Sequence, residues 1–99
     1  MKSYKIQADP RVKLDLQEAM DFLKSRSKGL DGKFLSDYKS SLKTLKTHPF
    51  FEVRYDGIRC LPLEIFKYVI HFSVDETTNM VLISAVVSTY QDSEEYWLK

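Results

Sequence analysis

From Tyr68 onward, apolar and mixed positions alternate along the chain. Tyr68, Ile70, Phe72 and Val74 fall on one side, and Val69, His71, Ser73 and Asp75 on the other. A period of two is that of a half-buried strand. After the polar, turn-forming stretch Asp75-Glu76-Thr77-Thr78-Asn79, the alternation resumes with Val81, Ile83, Ala85 and Val87 against Leu82, Ser84, Val86 and Ser88. The two runs predict an antiparallel hairpin. Upstream, the turn signal Asp56-Gly57 leads into a third strand, Ile58 to Leu63. Pro62 has no N–H for a ladder, which places it at an edge or at a strand end.

The amino-terminal half has a different period. Asp9-Pro10 is a helix-start pair: the carboxylate accepts from the first turn, and the proline lacks an N–H that would have had no partner there. A helix is predicted to about Ser27. Its apolar stripe is Val12, Leu16, Ala19, Met20 and Leu23, with Arg11, Lys13, Asp15, Glu18 and Lys24 left mostly toward solvent. Lys28-Gly29 ends it, with glycine available for a left-handed position. Asp31 can cap a second helix, in which Phe34 or Leu35, then Tyr38, Leu42 and Leu45, make the buried stripe until His48-Pro49 stops it. So short a connection predicts an antiparallel helical hairpin. Ahead of it, Tyr4 and Ile6 alternate with Lys5 and Gln7 as a short first strand.

The order β-α-α-β-β-β predicts an α+β fold, with a helical hairpin packed on one face of a small antiparallel sheet. The second face, with Val69, His71, Ser73, Ser84, Val86 and Ser88, is then partly open. Such a mixed surface suits a partner or a substrate, and an ordinary solvated sheet face is the alternative.

Composition narrows the function classes. With 99 residues and 43% apolar content there is room for one domain, residues 1–99, and one modest core. No apolar run is long enough for a signal peptide core or a membrane span, so a cytoplasmic location is expected and no membrane partner. Cys60 stands alone, which excludes an intrachain disulfide, and its place in a predicted strand favours burial. His48 and His71 with that cysteine make no metal-ligand spacing, so neither metal nor cofactor is expected.

A net charge of +1 conceals an uneven distribution. Residues 33–67 hold seven Lys or Arg against four acids, and residues 75–99 hold five acids against Lys99. Lys39, Lys43 and Lys46 fall at three-and-four spacing on the second helix and form one basic strip, which Arg54 and Arg59 can extend. The strip can meet an acidic partner or phosphate, or be a solvated helix face. A dedicated nucleic-acid module is usually more basic, and no direct sequence-specific DNA binding is expected.

Four stretches in register resemble the RelE/ParE superfamily of bacterial type II toxins: YKIQADPRVKLDLQEAMDFL, GLDGKFLSDYKSSLKTLKTHPFF, IRCLPLEIFKYVIHFSVDE and AVVSTYQDSEEYW. Together they run over nearly the whole chain. The segment RCLPLEIFKYVIHFSVDE is most similar to ParE-like members, the plasmid stabilisation branch. The resemblance implies a growth-inhibiting toxin neutralised by a cognate antitoxin, whose carboxy-terminal segment covers sheet and helical hairpin. An exposed strand edge and a partly apolar face are compatible with such a segment. ParE-like members bind DNA gyrase and are not enzymes in that role. RelE-like members are endoribonucleases, mRNA interferases acting on the ribosome.

Departures from the pattern bear on that choice. The resemblance to ribonuclease members implies arginines after the tyrosine of the central strand and near the end of the last strand, where they hold phosphate. Val69 and the Ser88-Thr89-Tyr90 region stand there instead. Gyrase binding is therefore the leading reading. An mRNA interferase is the second, and an inactive relative that only binds its antitoxin is the third. The stretch Ser88 to Ser93 also replaces the His-Thr-Arg-type sequence followed by proline in which ParE-like and related members often end, which favours an inactive relative. For catalysis the remaining candidates are Arg59, Lys67, His71, Tyr90 and Tyr96. For partner binding they are Lys39, Lys43, Lys46, Arg54, Arg59 and Trp97, the last able to stack on a base or close over the core.

Overall fold

The computed structural model describes residues 3–89. In it the chain runs β1 (Lys5–Ala8), α1 (Pro10–Arg26), α2 (Leu30–Thr47), β2 (Val53–Tyr55), β3 (Ile58–Pro62), β4 (Tyr68–Asp75) and β5 (Met80–Ser88). The five strands form one sheet in the order β1-β5-β4-β3-β2. The expected α+β arrangement is present, with two differences in the sheet. β1 pairs with β5 in parallel, Ile6 opposite Val81, so the sheet is mixed rather than wholly antiparallel. β2 is an added fifth strand of three residues, too short and too polar to show a period.

Local chemistry sets most boundaries. Asp9 Oδ1 accepts from Arg11 N at 2.9 Å and caps α1, with Pro10 in the first turn. Asp31 does not cap α2: the helix begins one residue earlier, after Gly29 at φ 90°, and Asp31 lies in the first turn. There its charge complements the positive end of the helix dipole. Asp56 at φ 43° and Gly57 at φ 75° turn the chain from β2 into β3, pairing Tyr55 with Ile58. Two successive left-handed residues make the tight hairpin turn that matches strand twist. Pro62 is the last residue of β3, a strand end where no ladder donor is needed.

The core lies between the helical hairpin and one sheet face. Val12, Ala19 and Leu23 of α1 and Phe34, Tyr38 and Leu45 of α2 pack with Ile70, Phe72, Val81, Ile83 and Val86. Phe34 meets Phe66 and Tyr68 edge-on, at 5.7 and 5.0 Å between centroids. One member was expected on the opposite face. His71 pairs with Ala85 but Phe72 with Ile83, leaving Ser84 as an extra residue in β5. This β-bulge shifts the alternation by one position and turns Val86 into the core. It also displaces Ser84, whose Oγ donates to the His71 carbonyl at 3.1 Å.

Two helix carboxylates reach sheet and turn backbone. Asp37 of α2 is buried, and its Oδ2 accepts from both Ile65 N and Phe66 N at 3.0 Å. Asp15 of α1, expected toward solvent, is half-buried and accepts from Val86 N at 3.0 Å. The spacing Phe34, Asp37, Tyr38, Ser41, Leu45 places Asp37 on the buried stripe.

Asp37→Ala strands two backbone donors and is expected to lower the unfolding free energy by about 2–4 kcal/mol, read by urea denaturation. Asp37→Asn keeps an acceptor and should cost less. An alanine variant within about 0.5 kcal/mol of the parent would contradict the anchoring role.

Burial raises the phenol pKa values of Tyr38 and Tyr68 above their usual 10.0. Between pH 10 and the raised values, the folded state keeps protons that the unfolded chain releases, so stability falls as pH rises past about 10. Urea midpoints from pH 8 to 11 should show this loss, and the double variant Tyr38→Phe, Tyr68→Phe should lose less.

Candidate functional site

β5 carries different neighbours along its length. β1 accompanies it from Met80 to Ile83, and the last backbone bond on that side runs from Asp9 N to the Ile83 carbonyl. There the chain turns into α1, because Asp9 is its cap and Pro10 its first residue. Among the described residues, no strand lies beside β5 on that side beyond Ile83. Asp15 accepts the Val86 N–H in the place a strand carbonyl would occupy.

The gap between α1 and the end of β5 is a groove of about 730 Å³. Phe22, half exposed, and Glu18 form the helix wall. Phe66, Lys67 and Tyr68, from the turn into β4, form the opposite wall, and Val87 lines it from β5. The lining is mostly apolar, with Glu18 and Lys67 as exposed charges of opposite sign on the two walls. A concave apolar surface beside an unaccompanied strand end is suited to an extended or helical protein segment.

The expected basic strip is present on α2. Lys39, Lys43 and Lys46 are exposed, and Lys39 and Lys43 border a shallow depression of about 460 Å³ beside Gly32 and Ser36. Arg54 is exposed on β2. Arg59 instead is half-buried: Nη1 donates to the Phe51 carbonyl at 2.6 Å, and the guanidinium lies 5.2 Å from the Phe50 ring.

His71 is fully buried. Its Nδ1 lies 2.8 Å from the Tyr55 hydroxyl and 3.8 Å from Cys60 Sγ, and the Tyr55 ring tilts over it at 5.8 Å. With Val69 and Cys60 also buried, the second sheet face is closed at its centre, while Ser73, Ser84 and Ser88 stay partly accessible. Register separates the candidates further. Arg59 pairs with Phe72 and Cys60 with His71, so Arg59 shares the core face of Phe72 while His71 lies on the other. Lys67 sits on the groove wall. Tyr90, Tyr96 and Trp97 lie outside the described residues. No cluster of three or more His, Cys, Asp or Glu able to hold a metal ion occurs among the described residues. None of their helices is long and apolar enough to cross a membrane.

Sequence reasoning missed Asp15, Phe22 and Tyr55. Phe22 was legible as an aromatic residue off the apolar stripe, but its role as a wall depends on where β1 stops.

His71→Ala removes a buried ring and leaves the Tyr55 hydroxyl without it, and is expected to cost about 2–4 kcal/mol in chemical denaturation. A loss below about 0.5 kcal/mol, the size of a surface substitution, would contradict its structural placement.

No protein-family model and no curated protein matches the chain. Solved structures do. One chain of the chromosomal ParDE TA system from P. aeruginosa superposes with a TM-score of 0.75 at 16% identity, over 87% of this chain and 96% of that one. The isolated E. coli RelE toxin superposes with a TM-score of 0.54 at 10% identity, over 95% of this chain and 98% of that one. At such identities the likeness is one of fold, and that fold is RelE/ParE-like.

Proposed function

Starting from this RelE/ParE-like fold, we propose that the chain is the toxin of a type II toxin-antitoxin pair, ParE-like in acting by binding DNA gyrase. The observation that carries the reading is the superposition on the ParDE chain, which spans nearly the whole of that chain at 0.75 against 0.54 for RelE. The distribution of charge supports it. Val69, where ribonuclease members are expected to carry an arginine, is a buried aliphatic residue, and β5 has no basic residue from Met80 to Ser88. Arg59 and His71, which an in-line attack on RNA would need together, lie on opposite faces of the sheet.

The groove between α1 and β5 is the surface proposed to receive the cognate antitoxin. An amphipathic segment seated there covers Phe22 and Val87 and meets Glu18 and Lys67 with opposite charges. Its backbone can run beside β5 where β1 no longer does. The lysine strip on α2 stands apart from the groove lining and is proposed as a second, electrostatic surface for the acidic parts of a partner.

Controlled expression in bacteria should arrest growth, and coexpression of the product of the adjacent gene should relieve it. The purified protein should inhibit supercoiling by gyrase and leave mRNA on translating ribosomes uncut. Cleaved mRNA with unimpaired gyrase would replace this reading with an mRNA interferase. Binding to the adjacent product without growth arrest would instead identify an inactive member of the fold.

A further inference from the structure

Ile65 is the most exposed large apolar side chain among the described residues, at 73%, yet the turn that carries it is firmly held. A lone exposed aliphatic residue is ordinary on a protein surface. Here its backbone is not. Asp37, itself only 4% exposed, accepts from the N–H of Ile65 and from that of Phe66. Leu63 N donates to the Tyr68 carbonyl at 2.9 Å and Tyr68 N to the Phe66 carbonyl at 2.8 Å, closing the turn on itself. Leu63 is buried, and the Phe66 ring is set edge-on against Phe34. Leu63 and the Phe66 ring thus tie the turn to the core, while Glu64 and the Ile65 side chain are held in water.

A side chain presented from a fixed backbone loses little freedom on binding, which is the property of an interface anchor. Its position adds a second argument. Phe66, Lys67 and Tyr68, the next three residues, line the groove between α1 and β5, and Ile65 immediately precedes that wall in the chain. We propose that Ile65 is the anchor by which the antitoxin segment seated in the groove is held where it leaves the wall formed by Phe66, Lys67 and Tyr68. The partner chemistry this fits is an apolar stretch that encloses the side chain, with a carboxylate within reach of exposed Lys67. The proposal rests on the toxin-antitoxin reading for the identity of the partner.

The full chain with Ile65→Asp and with Ile65→Ala tests it, with Val53→Asp as the control. Val53 is exposed on β2, at the far edge of the sheet from β1. Three quantities are measured: calorimetric affinity for the adjacent gene product, the thermal midpoint, and growth arrest. Ile65→Asp should weaken binding about tenfold or more, Ile65→Ala less, and Val53→Asp not at all. All three variants should melt within about 2 °C of the parent, because the altered side chains are solvated. Arrest by the variants alone should persist, with the antitoxin now relieving it poorly. If the parent binds and Ile65→Asp binds within twofold of it, the anchor assignment is wrong. Loss of arrest with antitoxin affinity intact would also overturn it and give the tip to the arrested target. A parent that does not bind the adjacent product at all defeats the toxin-antitoxin reading itself, a result distinct from a binding parent with an indifferent variant.

Discussion

A backbone N–H removed from water needs an acceptor, and at two places in this fold a helix side chain supplies it. A donor left unpaired in a partly buried position costs about 1–3 kcal/mol, a sizeable part of the stability of a domain this small. The turn between β3 and β4 has two such donors, and the end of β5 has one. Asp37 and Asp15 meet them from α2 and α1. These bonds also fix how the helical layer sits over the sheet, because each ties a position on a helix to one backbone atom beneath it. Apolar packing alone, being non-directional, does not set that register. The edge-on packing of Phe34 with Phe66 and Tyr68 then fills the space these bonds define.

The groove is a consequence of the same arrangement. β1 is four residues long and ends where Asp9 starts α1, whereas β5 has nine residues, so the sheet is wider at one end than at the other. The bulge at Ser84 falls just past the point where β1 leaves. Bulges bend a strand and raise its local twist, which turns the unaccompanied end under α1 and moves Val86 into the core. An edge finished in this way is blunted against pairing with stray strands, since Asp15 holds the Val86 donor and α1 overhangs it. The groove remains accessible to a segment that can cover its apolar walls as well.

Much of this architecture could be read from periodicity. The helix start at Asp9-Pro10, the helix stop at His48-Pro49, the hairpin of β4 with β5 and the turn at Asp56-Gly57 each have strong local chemistry, and each stands where the sequence places it. The features that escaped are those decided at a distance. Parallel pairing of β1 with β5 joins residues about 75 positions apart, and no local signal encodes it. The bulge is not marked in the sequence either: Val81-Leu82-Ile83 and Ala85-Val86-Val87 are apolar on both parities, so either register fits, and only the partner register shows that Ser84 is extra. Asp37 escaped as well, although it is a carboxylate in line with Phe34, Ser41 and Leu45 on a buried stripe. Such a residue at a core position implies donors nearby, though not which ones.

Strand parity also bears on what kind of activity the sheet can support. Neighbouring residues on a strand point to opposite faces, so Arg59 and Cys60 divide between the core side and the side of His71. Arg59 is then drawn to the Phe51 carbonyl and the Phe50 ring, and His71 to the Tyr55 hydroxyl. Acid–base catalysis of phosphodiester cleavage needs a base and a cation converging on one reacting group, within hydrogen-bond reach of it. Moving His71 to the other face takes a one-residue slip of β4, which would expose Ile70 and Phe72 and bury Asp75, and moving Arg59 takes a slip of β3, which would turn Leu61 away from the core. The apolar pattern that makes the core therefore also holds these two groups apart. A binding protein has no need of their convergence: a shaped apolar groove and a few fixed charges suffice, and the exposed surface around α1, β5 and the β3–β4 turn carries both.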